Sequence, residues 1–386
     1  MIQRNARFKM LEMSEKFPVL VFTGPRQSGK TTLAKLVFPE YRYVSLENPD
    51  HLEFALSDPR GFLALYDKYV IIDEAQNAPQ LFSYIQQIVD DSGLTGQYVL
   101  SGSQNFLLLE KITQSLAGRV YLMELLPLAQ DEIKSVVTQD IYTSIFRGGY
   151  PRVYDRQIQP RDFYPAYVRT YVERDVKTII NVQDLALFRK FLSLLAHHVG
   201  QLFNASSISK QLGVDSKTVQ RWMSLLESSY IAFTLVPWHT NFSKRIVKTP
   251  KLYFYDTGLV AFLLGIKKPE DLVLSTYKGA LFENYCILEL MKSYKNKGVA
   301  QDFYFWRDSN GNEIDLLLVD GLNVACLEMK ASKTVKSEYL KALHYLDATE
   351  GYNYKHYLIN TSDSSQKRTN EEIVSWNNLI DLFSEN

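Results

Sequence analysis

The sequence predicts an α/β fold that opens with a mostly parallel β-sheet. Two observations carry this prediction. Over residues 1 to about 125, short apolar runs alternate with helix-patterned segments, as in sheets covered by helices on both faces. The loop after the first apolar run also fits a phosphate-binding pattern, which belongs at the junction of a strand and its helix. We therefore expect this part of the chain to bind a phosphate-bearing ligand.

The phosphate-binding pattern G-x-x-x-x-G-K-[ST] lies between a strand expected over 17–22 and a helix that starts near Thr31. Its two glycines let backbone amides wrap the phosphates, Lys30 neutralises the β and γ oxygens, and Thr31 offers a hydroxyl to Mg²⁺. The positive end of the helix favours the same anion. ATP and Mg²⁺ are the expected cofactors. The residues expected to hold them here are Gly24, Pro25, Arg26, Gln27, Ser28, Gly29, Lys30, Thr31 and Thr32.

A second apolar run, residues 69–72, ends in Asp73 and Glu74. Asp73 would hold the Mg²⁺ through water, and Glu74 would polarise the attacking water, so hydrolysis is expected rather than binding alone. Capping of a helix is the alternative role for such acids. After a third run, 97–100, Gln104 or Asn105 is the candidate sensor of the γ-phosphate, although such residues are also common in turns.

Residues 128–195 are helical in pattern, and we interpret them as a lid. The next segment, residues 196–255, has the pattern of a winged helix-turn-helix. Helices are expected over 208–212 and 217–228, with Ser206-Ser207 and Asp215-Ser216 as caps and strands over 230–237 and 246–255. Residues 196–251 carry seven Lys or Arg against two Asp or Glu. The expected DNA contacts are Lys217, Thr218, Gln220 and Arg221 in the major groove and Lys244 and Arg245 on phosphates. A packing or protein-contact role is the alternative.

The last segment, residues 256–386, contains a pattern of acids typical of metal-dependent nucleases. Asp315 precedes a strand expected over 316–319, and a turn leads to a second strand that ends in Glu328 and Lys330. Two carboxylates on adjacent strands can share a divalent cation, and Lys330 can steady a water or the scissile phosphate. Glu283, on an upstream helix, could complete the site. A surface ion pair of Lys330 with an acid is the alternative.

Composition excludes several other classes of protein. The 386 residues carry 43 basic and 43 acidic side chains, so no global field draws the chain to nucleic acid or membrane. The two cysteines, Cys286 and Cys326, are far apart and predict a reducing compartment without a disulfide framework. No apolar stretch approaches the ~20 residues of a membrane span, and the N-terminus lacks a signal-peptide core. We therefore expect a cytoplasmic protein without a membrane partner.

At this point the chain resembles the bacterial and archaeal AAA-type ATPases with a C-terminal DUF4143 domain. The resemblance covers nearly the whole chain. It implies a P-loop domain at 1–127, a helical lid at 128–195, a winged helix at 196–255 and a nuclease-like DUF4143 domain at 256–386. The segments that carry it are 23–33, 71–76, 100–104, 116–119, 250–259 and 279–284, together with the Asp315, Glu328 and Lys330 set. Restriction-type folds are often kept as binding modules, so the resemblance does not by itself imply nuclease catalysis.

The resemblance also draws attention to Arg119, which follows a helix expected over 107–116 and precedes a strand. Related ATPases present an arginine there to the nucleotide, and supply from a neighbouring subunit would require a homo-oligomer. Arg26 and Arg147 are competitors, and a structural salt bridge is the plain alternative. The resulting hypothesis is an Mg²⁺-dependent ATPase that repositions a winged-helix and nuclease-like half, with DNA as candidate partner. The rivals are a signalling or scaffold ATPase that cuts nothing and a monomeric nucleotide switch.

Overall fold

The computed structural model describes residues 2–102, 115–172, 185–238, 248–347 and 349–383. The predicted γ-phosphate sensors Gln104 and Asn105, most of the helix expected over 107–116, and Lys244 and Arg245 lie outside these residues. The first part of the chain forms a five-stranded parallel sheet in the order β2-β3-β4-β1-β5, which confirms the predicted α/β architecture. Its strands are β1 (Val19–Thr23), β2 (Arg42–Ser45), β3 (Val70–Asp73), β4 (Tyr98–Ser101) and β5 (Val120–Glu124).

Helices cover this sheet on both faces, which explains why its inner strands are apolar throughout. Alternate residues of β1 point to opposite sides, so that Leu20 and Phe22 pack on one face while Val19 and Val21 pack on the other. The first face carries α1 (Ala6–Ser14) and α2 (Lys30–Val37). The second face carries α3 (Pro49–Ser57), α4 (Pro59–Leu65) and α5 (Leu81–Ser92).

The segment predicted to be helical over 128–195 does contain a series of mostly short helices. Pro151 and Pro160 each occupy the first turn of a helix, where a missing N–H costs nothing. A π-helical turn, Val168–Val172, follows the fourth of these helices. The helices are α6 (Gln130–Lys134), α7 (Ile141–Arg147), α8 (Pro151–Asp155), α9 (Pro160–Tyr167) and α10 (Leu185–His197).

Two further helices, α11 (Ala205–Leu212) and α12 (Ser216–Ser228), are joined by a turn at Gly213, where φ is +71°. Asp215 caps the second helix as expected, because its Oδ1 accepts from the Thr218 amide at 2.8 Å. The first cap was predicted wrongly. Asn204, rather than Ser206 or Ser207, accepts from the Ser207 amide at 2.9 Å, so the helix starts earlier than expected.

The strands that follow, β6 (Ala232–Pro237) and β7 (Lys251–Phe254), form an antiparallel pair. β6 also pairs in parallel with β8, so that this pair extends the sheet of the C-terminal part of the chain. The sheet has eight strands in the order β12-β13-β11-β10-β9-β8-β6-β7. Its other strands are β8 (Asp302–Arg307), β9 (Glu313–Asp320), β10 (Asn323–Lys330), β11 (Asn353–Asn360), β12 (Gln366–Lys367) and β13 (Glu372–Ser375).

The predicted hairpin is present, since β9 and β10 pair in antiparallel register around Gly321. Four helices accompany the eight-stranded sheet in the described residues: α13 (Thr257–Leu263), α14 (Pro269–Leu274), α15 (Lys278–Lys297) and α16 (Ser337–Leu343). One continuous apolar core joins α6–α15 to this sheet and includes buried residues from Ile2 to Leu379. The predicted domain boundaries, the winged-helix assignment and the nuclease-like assignment stay predictions.

Both cysteines, Cys286 and Cys326, are buried free thiols, in keeping with the absence of a disulfide framework. Within the residues that the structure describes, every helix is too short or too polar to span a bilayer.

Candidate functional site

The phosphate loop connects the end of β1 to the start of α2, at the carboxyl edge of the parallel sheet. Gly24 has φ +138°, and a Cβ built there would lie 2.3 Å from the carbonyl oxygen of Leu125. Only glycine fits this position, because both the backbone conformation and the close neighbour exclude a side chain. Gly29 (φ +95°) occupies the N-cap of α2 and turns the chain into the helix. The loop amides therefore lie at the positive end of α2.

Some buried polar groups of the phosphate loop have no hydrogen-bond partner among the described residues, which leaves them available to a ligand. Lys30 is buried, and its Nζ donates to the carbonyl oxygens of Gly24 at 2.8 Å and Pro25 at 2.9 Å. Gln27 Oε1 and Ser28 Oγ are also buried, and neither has a hydrogen-bond partner among the described residues. Buried polar atoms normally find partners, so these groups fit a loop that closes on phosphate oxygens.

Thr31 and Asp73 meet at the foot of the loop, as the sequence predicts. Thr31 Oγ1 donates to Asp73 Oδ2 at 2.9 Å, and Tyr43 Oη donates to the same oxygen at 3.0 Å. The Ser101 hydroxyl, from the end of β4, donates to the other carboxylate oxygen. A hydroxyl and a carboxylate held this close to the phosphate loop are the oxygen ligands that Mg²⁺ prefers. The residues present therefore fit the ion.

Glu74 follows β3 directly in a left-handed conformation, with φ +53°. Gln76 donates a hydrogen bond to its carboxylate, and the side chain lines the same cleft as Lys30 and Thr31. Left-handed backbone is uncommon outside glycine, and it is often retained at functional positions. Glu74 thus lies in the cleft beside the phosphate loop, and its role in hydrolysis stays a prediction.

Two arginines that sequence reasoning missed line the opposite wall of this cleft. The cleft encloses about 860 Å³ and is bounded on one side by the phosphate loop and on the other by α8 and the residue after it. Arg152 and Arg156 lie on that second wall, together with Asp155. The only local signal was the Gly-Gly-Tyr-Pro breaker before α8, which marks a helix start but not the direction in which the helix faces.

Burial lowers the pKa of Lys30 to about 8, although Glu74 and Asp73 favour its charged form. Phosphate needs the charged amine, so binding above pH 8 must take up a proton. We expect ATP affinity to fall by up to about tenfold per pH unit above 8. Calorimetry in buffers of different ionisation enthalpy should report this proton uptake. Lys30→Arg, which stays charged, should lose the pH dependence, and constant wild-type affinity from pH 7 to 9.5 would contradict the prediction.

Arg119 lies at the opposite edge of the sheet from the phosphate loop. It directly precedes β5, whose first residue pairs with Val19 at the start of β1. Its guanidinium pairs with Asp90 through two hydrogen bonds, at 2.6 and 2.8 Å. Within one chain Arg119 therefore does not approach the nucleotide cleft, and its role in a neighbouring subunit stays a prediction. Of the competitors, Arg26 lines the cleft and Arg147 packs over the Tyr154 ring at 4.5 Å.

The predicted carboxylate pair of the C-terminal segment is assembled in the structure. Asp315 on β9 lies beside Glu328 on β10, since the register pairs Leu316 with Leu327. Asp315 Oδ2 accepts from the Met329 amide at 2.8 Å and lies 3.8 Å from Lys330 Nζ. Lys330 also pairs with Glu328, and both carboxylates are buried. This is the arrangement that the D…E-x-K spacing predicts.

Glu283 from α15 joins the same group, together with two residues that sequence reasoning missed. Lys251 on β7 is buried, and its Nζ contacts Glu283 Oε1 at 2.6 Å and Glu313 Oε1 at 2.7 Å. One carboxylate oxygen each from Glu283, Glu313 and Asp315 lie within 4.8 Å of one another. Glu313 could have been found, because it lies two residues before Asp315 on the same strand face. Lys251 is distant in sequence, and although it lies in the 250–259 segment, nothing there indicated a contact with this cluster.

Four carboxylates and three basic groups make up this cluster: Glu283, Glu313, Asp315 and Glu328 with Lys251, Lys330 and Arg307. Burial, aided by Asp315, raises the pKa of Glu328 to about 8, although Lys330 opposes the shift. Burial likewise raises the pKa of Glu283 to about 7, against the effect of Lys251. Glu328 Oε2 is buried without a donor among the described residues. The donor set thus fits a divalent cation that would displace these protons.

The helix pair α11 and α12 presents part of the predicted DNA-binding residues to solvent. On α12, Lys217, Gln220 and Arg221 are exposed. Thr218 is half-buried, and its hydroxyl donates to Asp215 Oδ2 at 2.7 Å as part of the helix cap. The three exposed side chains could reach a groove, whereas Thr218 already has a structural partner.

A phosphate loop after β1 and an acidic pair after β3, at one edge of a parallel sheet, define a P-loop ATPase-type domain. Family models agree: residues 16–134 match an AAA domain, residues 138–270 a domain of unknown function (DUF8612), and residues 278–379 a domain of unknown function (DUF4143). The chain belongs to the family of P-loop ATPases that carry a C-terminal DUF4143 domain.

Curated relatives share most of this architecture. The chain is 31% identical to the uncharacterized protein Rv2008c of Mycobacterium tuberculosis over 319 residues, which cover 81% of this chain and 70% of the relative. It is 25% identical to an uncharacterized protein of Haemophilus influenzae, over 76% of this chain and 79% of the relative.

Solved structures show weaker similarity. The Walker-type ATPase paby2304 of Pyrococcus abyssi is 15% identical with a TM-score of 0.39, covering 67% of this chain and 94% of that one. RuvB of Thermotoga maritima is 17% identical with a TM-score of 0.31, covering 60% and 89%. Both TM-scores lie below 0.5, so these likenesses say nothing about activity.

Proposed function

We propose that the chain hydrolyses ATP with Mg²⁺ and uses the nucleotide state to reposition its C-terminal half on DNA. Lys30 would hold the β and γ phosphates, and Thr31 and Asp73 would hold the ion. Glu74 would accept the proton of the attacking water, and Arg152 or Arg156 could offset phosphate charge from across the cleft. The ion would supply charge neutralisation between phosphate oxygens.

The observation that carries the coupling is a set of polar contacts that join the nucleotide cleft to the rest of the chain. Tyr230, between α12 and β6, donates to Thr23 Oγ1 at 2.9 Å and contacts Glu124 Oε1 at 3.1 Å. Thr23 immediately precedes the phosphate loop. A shift of that loop would therefore reach the strand pair that extends the C-terminal sheet.

Three further contacts tie the lid to the same half. Asp256, which caps α13, accepts from the Gly149 amide at 2.7 Å, just before α8 and the cleft arginines. Lys292 on α15 donates to the Leu128 carbonyl at 2.9 Å and pairs with buried Glu289, which accepts from the Gln130 amide. Buried polar groups of this kind have few alternative partners, so a movement of the lid should also move the C-terminal half.

DNA is the proposed partner of α12 and of the carboxylate cluster. We assign the segment 196–255 as a winged helix, with Lys217, Gln220 and Arg221 facing the nucleic acid. The cluster of Asp315, Glu328 and Lys330, with Glu283, would hold Mg²⁺ or Mn²⁺ and cleave a phosphodiester bond. Homo-oligomerisation and a cytoplasmic location stay predictions.

One observation favours the rival function, a scaffold ATPase whose C-terminal half binds protein and cuts nothing. Each of the four carboxylates already pairs with Lys251, Lys330 or Arg307, so the cluster could be purely structural without a cation. Where a nuclease-like fold is kept only as a binding module, basic side chains can take the place of the metal ion beside the carboxylates.

ATP turnover with no DNA and with single-stranded, duplex or branched DNA separates these functions. We expect DNA to raise turnover severalfold and Lys217→Ala/Arg221→Ala to remove the increase without changing the basal rate. Lys210→Ala, an exposed lysine on the neighbouring helix α11, is the matched control and should keep the stimulation. If none of these DNAs binds or changes ATP turnover, the DNA-dependent function is wrong and the scaffold function is favoured.

A further inference from the structure

A second polar cluster lies on the C-terminal sheet and takes no part in either site described above. His344 and Asp347 belong to the turn that follows α16, His356 lies on β11, and Glu371 directly precedes β13. We propose that His344, Asp347 and His356 bind a divalent transition-metal ion of the zinc type, and that Glu371 holds the His344 ring in position.

The three donor groups already converge on one point. Asp347 uses one carboxylate oxygen for each ring: Oδ2 lies 2.6 Å from His344 Nδ1, and Oδ1 lies 2.8 Å from His356 Nε2. One ligand atom of each residue lies within 4.8 Å of the other two. Tetrahedral zinc, with bonds of about 2.0–2.2 Å, separates its ligand atoms by roughly 3.3 Å. Small side-chain movements would therefore admit the ion.

Glu371 supplies the support that metal-bound imidazoles commonly have. Its Oε1 lies 3.0 Å from His344 Nε2, which leaves Nδ1 as the ligand atom on the side of Asp347. A carboxylate on the second ring nitrogen fixes the tautomer and orientation of a ligating histidine. The cluster thus contains three metal ligands and, in Glu371, the carboxylate that orients one of them, His344.

Burial also suits a bound ion with a route from solvent. The His356 side chain is 8% exposed and Glu371 15%, whereas His344 is 31% and Asp347 42% exposed. The buried His356 ring would bind the ion on the side that faces the protein interior. The open side leaves room for a water as the fourth ligand.

The ligand types separate this site from the two oxygen-rich ones. Imidazole nitrogen favours zinc, copper and nickel, whereas Mg²⁺ prefers carboxylate, hydroxyl and water oxygens. The phosphate loop and the Asp315–Glu328 cluster offer oxygen alone among the residues assigned to the ion. An excess of Mg²⁺ should therefore occupy those sites and leave the histidines for a transition metal.

Metal binding would restrain helix α16, which contacts Lys330 of the carboxylate cluster. His344 and Asp347 follow α16, and Tyr339 on α16 places its ring 5.6 Å from Lys330 Nζ. His356 also lies next to Cys326 on β10, two residues before Glu328. An ion held between the turn and β11 would hence limit movement of α16 relative to Lys330.

The alternative is a proton network that needs no metal. Asp347 and Glu371 raise the pKa of His344 despite its partial burial, so a protonated ring could bridge the two carboxylates. Such a network would bind no transition metal at stoichiometric concentration. Metal binding itself therefore decides between the two.

The test is a titration of the chelator-treated full chain with Co²⁺ in excess Mg²⁺, read from the visible absorption of histidine-bound Co²⁺. We expect one equivalent to bind, with affinity at least tenfold lower in His356→Gln and in Asp347→Asn. His197→Gln is the matched control, because this exposed histidine contacts the Ser193 carbonyl at 2.8 Å and the Tyr277 ring and belongs to none of the proposed metal sites. It should bind Co²⁺ as the wild type does.

Unfolding midpoints guard against variants that fail to fold. Zn²⁺ should raise the midpoint of the wild type and of His197→Gln, but not that of His344→Gln, whose replaced side chain is partly exposed and therefore tolerant of change. Wild-type protein that binds no Co²⁺, or that binds it no better than the His344 and His356 variants, would overturn the proposal.

Discussion

Glu74→Gln is expected to keep ATP bound and to slow its hydrolysis by about 10²- to 10⁴-fold, the usual cost of losing a general base. The side chain follows Asp73 in the cleft, and we assign it to the attacking water rather than to the ground-state phosphates. Lys30→Ala should instead abolish nucleotide binding, because the buried amine that neutralises the phosphates is gone. Glu74→Gln should thus bind ATP without hydrolysing it at the normal rate, whereas Lys30→Ala should not bind it.

Binding of a fluorescent ATP analogue and release of inorganic phosphate measure these two properties separately. Glu53→Gln is a suitable control, since Glu53 is an exposed acid on α3 and does not line the cleft. It should bind and hydrolyse ATP as the wild type does. Wild-type turnover in Glu74→Gln would refute the assignment of the base.

Asp315→Asn/Glu328→Gln is expected to eliminate Mn²⁺ binding at the carboxylate cluster and, with it, any cleavage of DNA. Asp315 and Glu328 would supply the anionic oxygens that bind the ion, and amides cannot replace them as anionic ligands. Lys30→Ala, in which the phosphate loop is altered and the cluster is intact, is the control and should keep Mn²⁺ binding at the cluster.

The affinity for Mn²⁺ should also depend on pH in a defined direction. Because the pKa values of Glu328 and Glu283 are raised to about 8 and about 7, both carboxyls hold protons at lower pH that the ion must displace. Affinity should therefore rise with pH, by about tenfold per unit for each displaced proton, and level off above pH 8. Equal and negligible Mn²⁺ binding in wild type and variant, without cleavage of any DNA, would leave a nuclease-like binding module.

The nucleotide site could be predicted from sequence because its parts are local. A strand, a glycine loop and a helix start determine where Lys30 and Thr31 lie, and the polar end of the next strand supplies Asp73. The Asp315–Glu328 pair was predictable for the same reason, since a hairpin fixes the register of its two strands.

Contacts between distant segments could not be predicted in this way. Lys251 reaches the carboxylate cluster only because β6 pairs with β8, which places β7 at the edge of the C-terminal sheet. Arg4 is a second case: this buried residue pairs with Glu132 and donates to the Ser28 carbonyl at 2.7 Å, so it ties α6 to the phosphate loop. Neither pairing has a periodic or spacing signal in the sequence.

Coupling between the cleft and the C-terminal half is the central claim, and hydrogen exchange tests it most directly. Amide exchange should be compared in Glu74→Gln with ATP and without nucleotide, using Lys30→Ala as the blank. We expect ATP to change amide exchange at the phosphate loop. We also expect changes around Tyr230, which contacts Thr23, and around Gly149, which contacts Asp256. Changes confined to residues 19–37 and 70–77 would contradict the coupling.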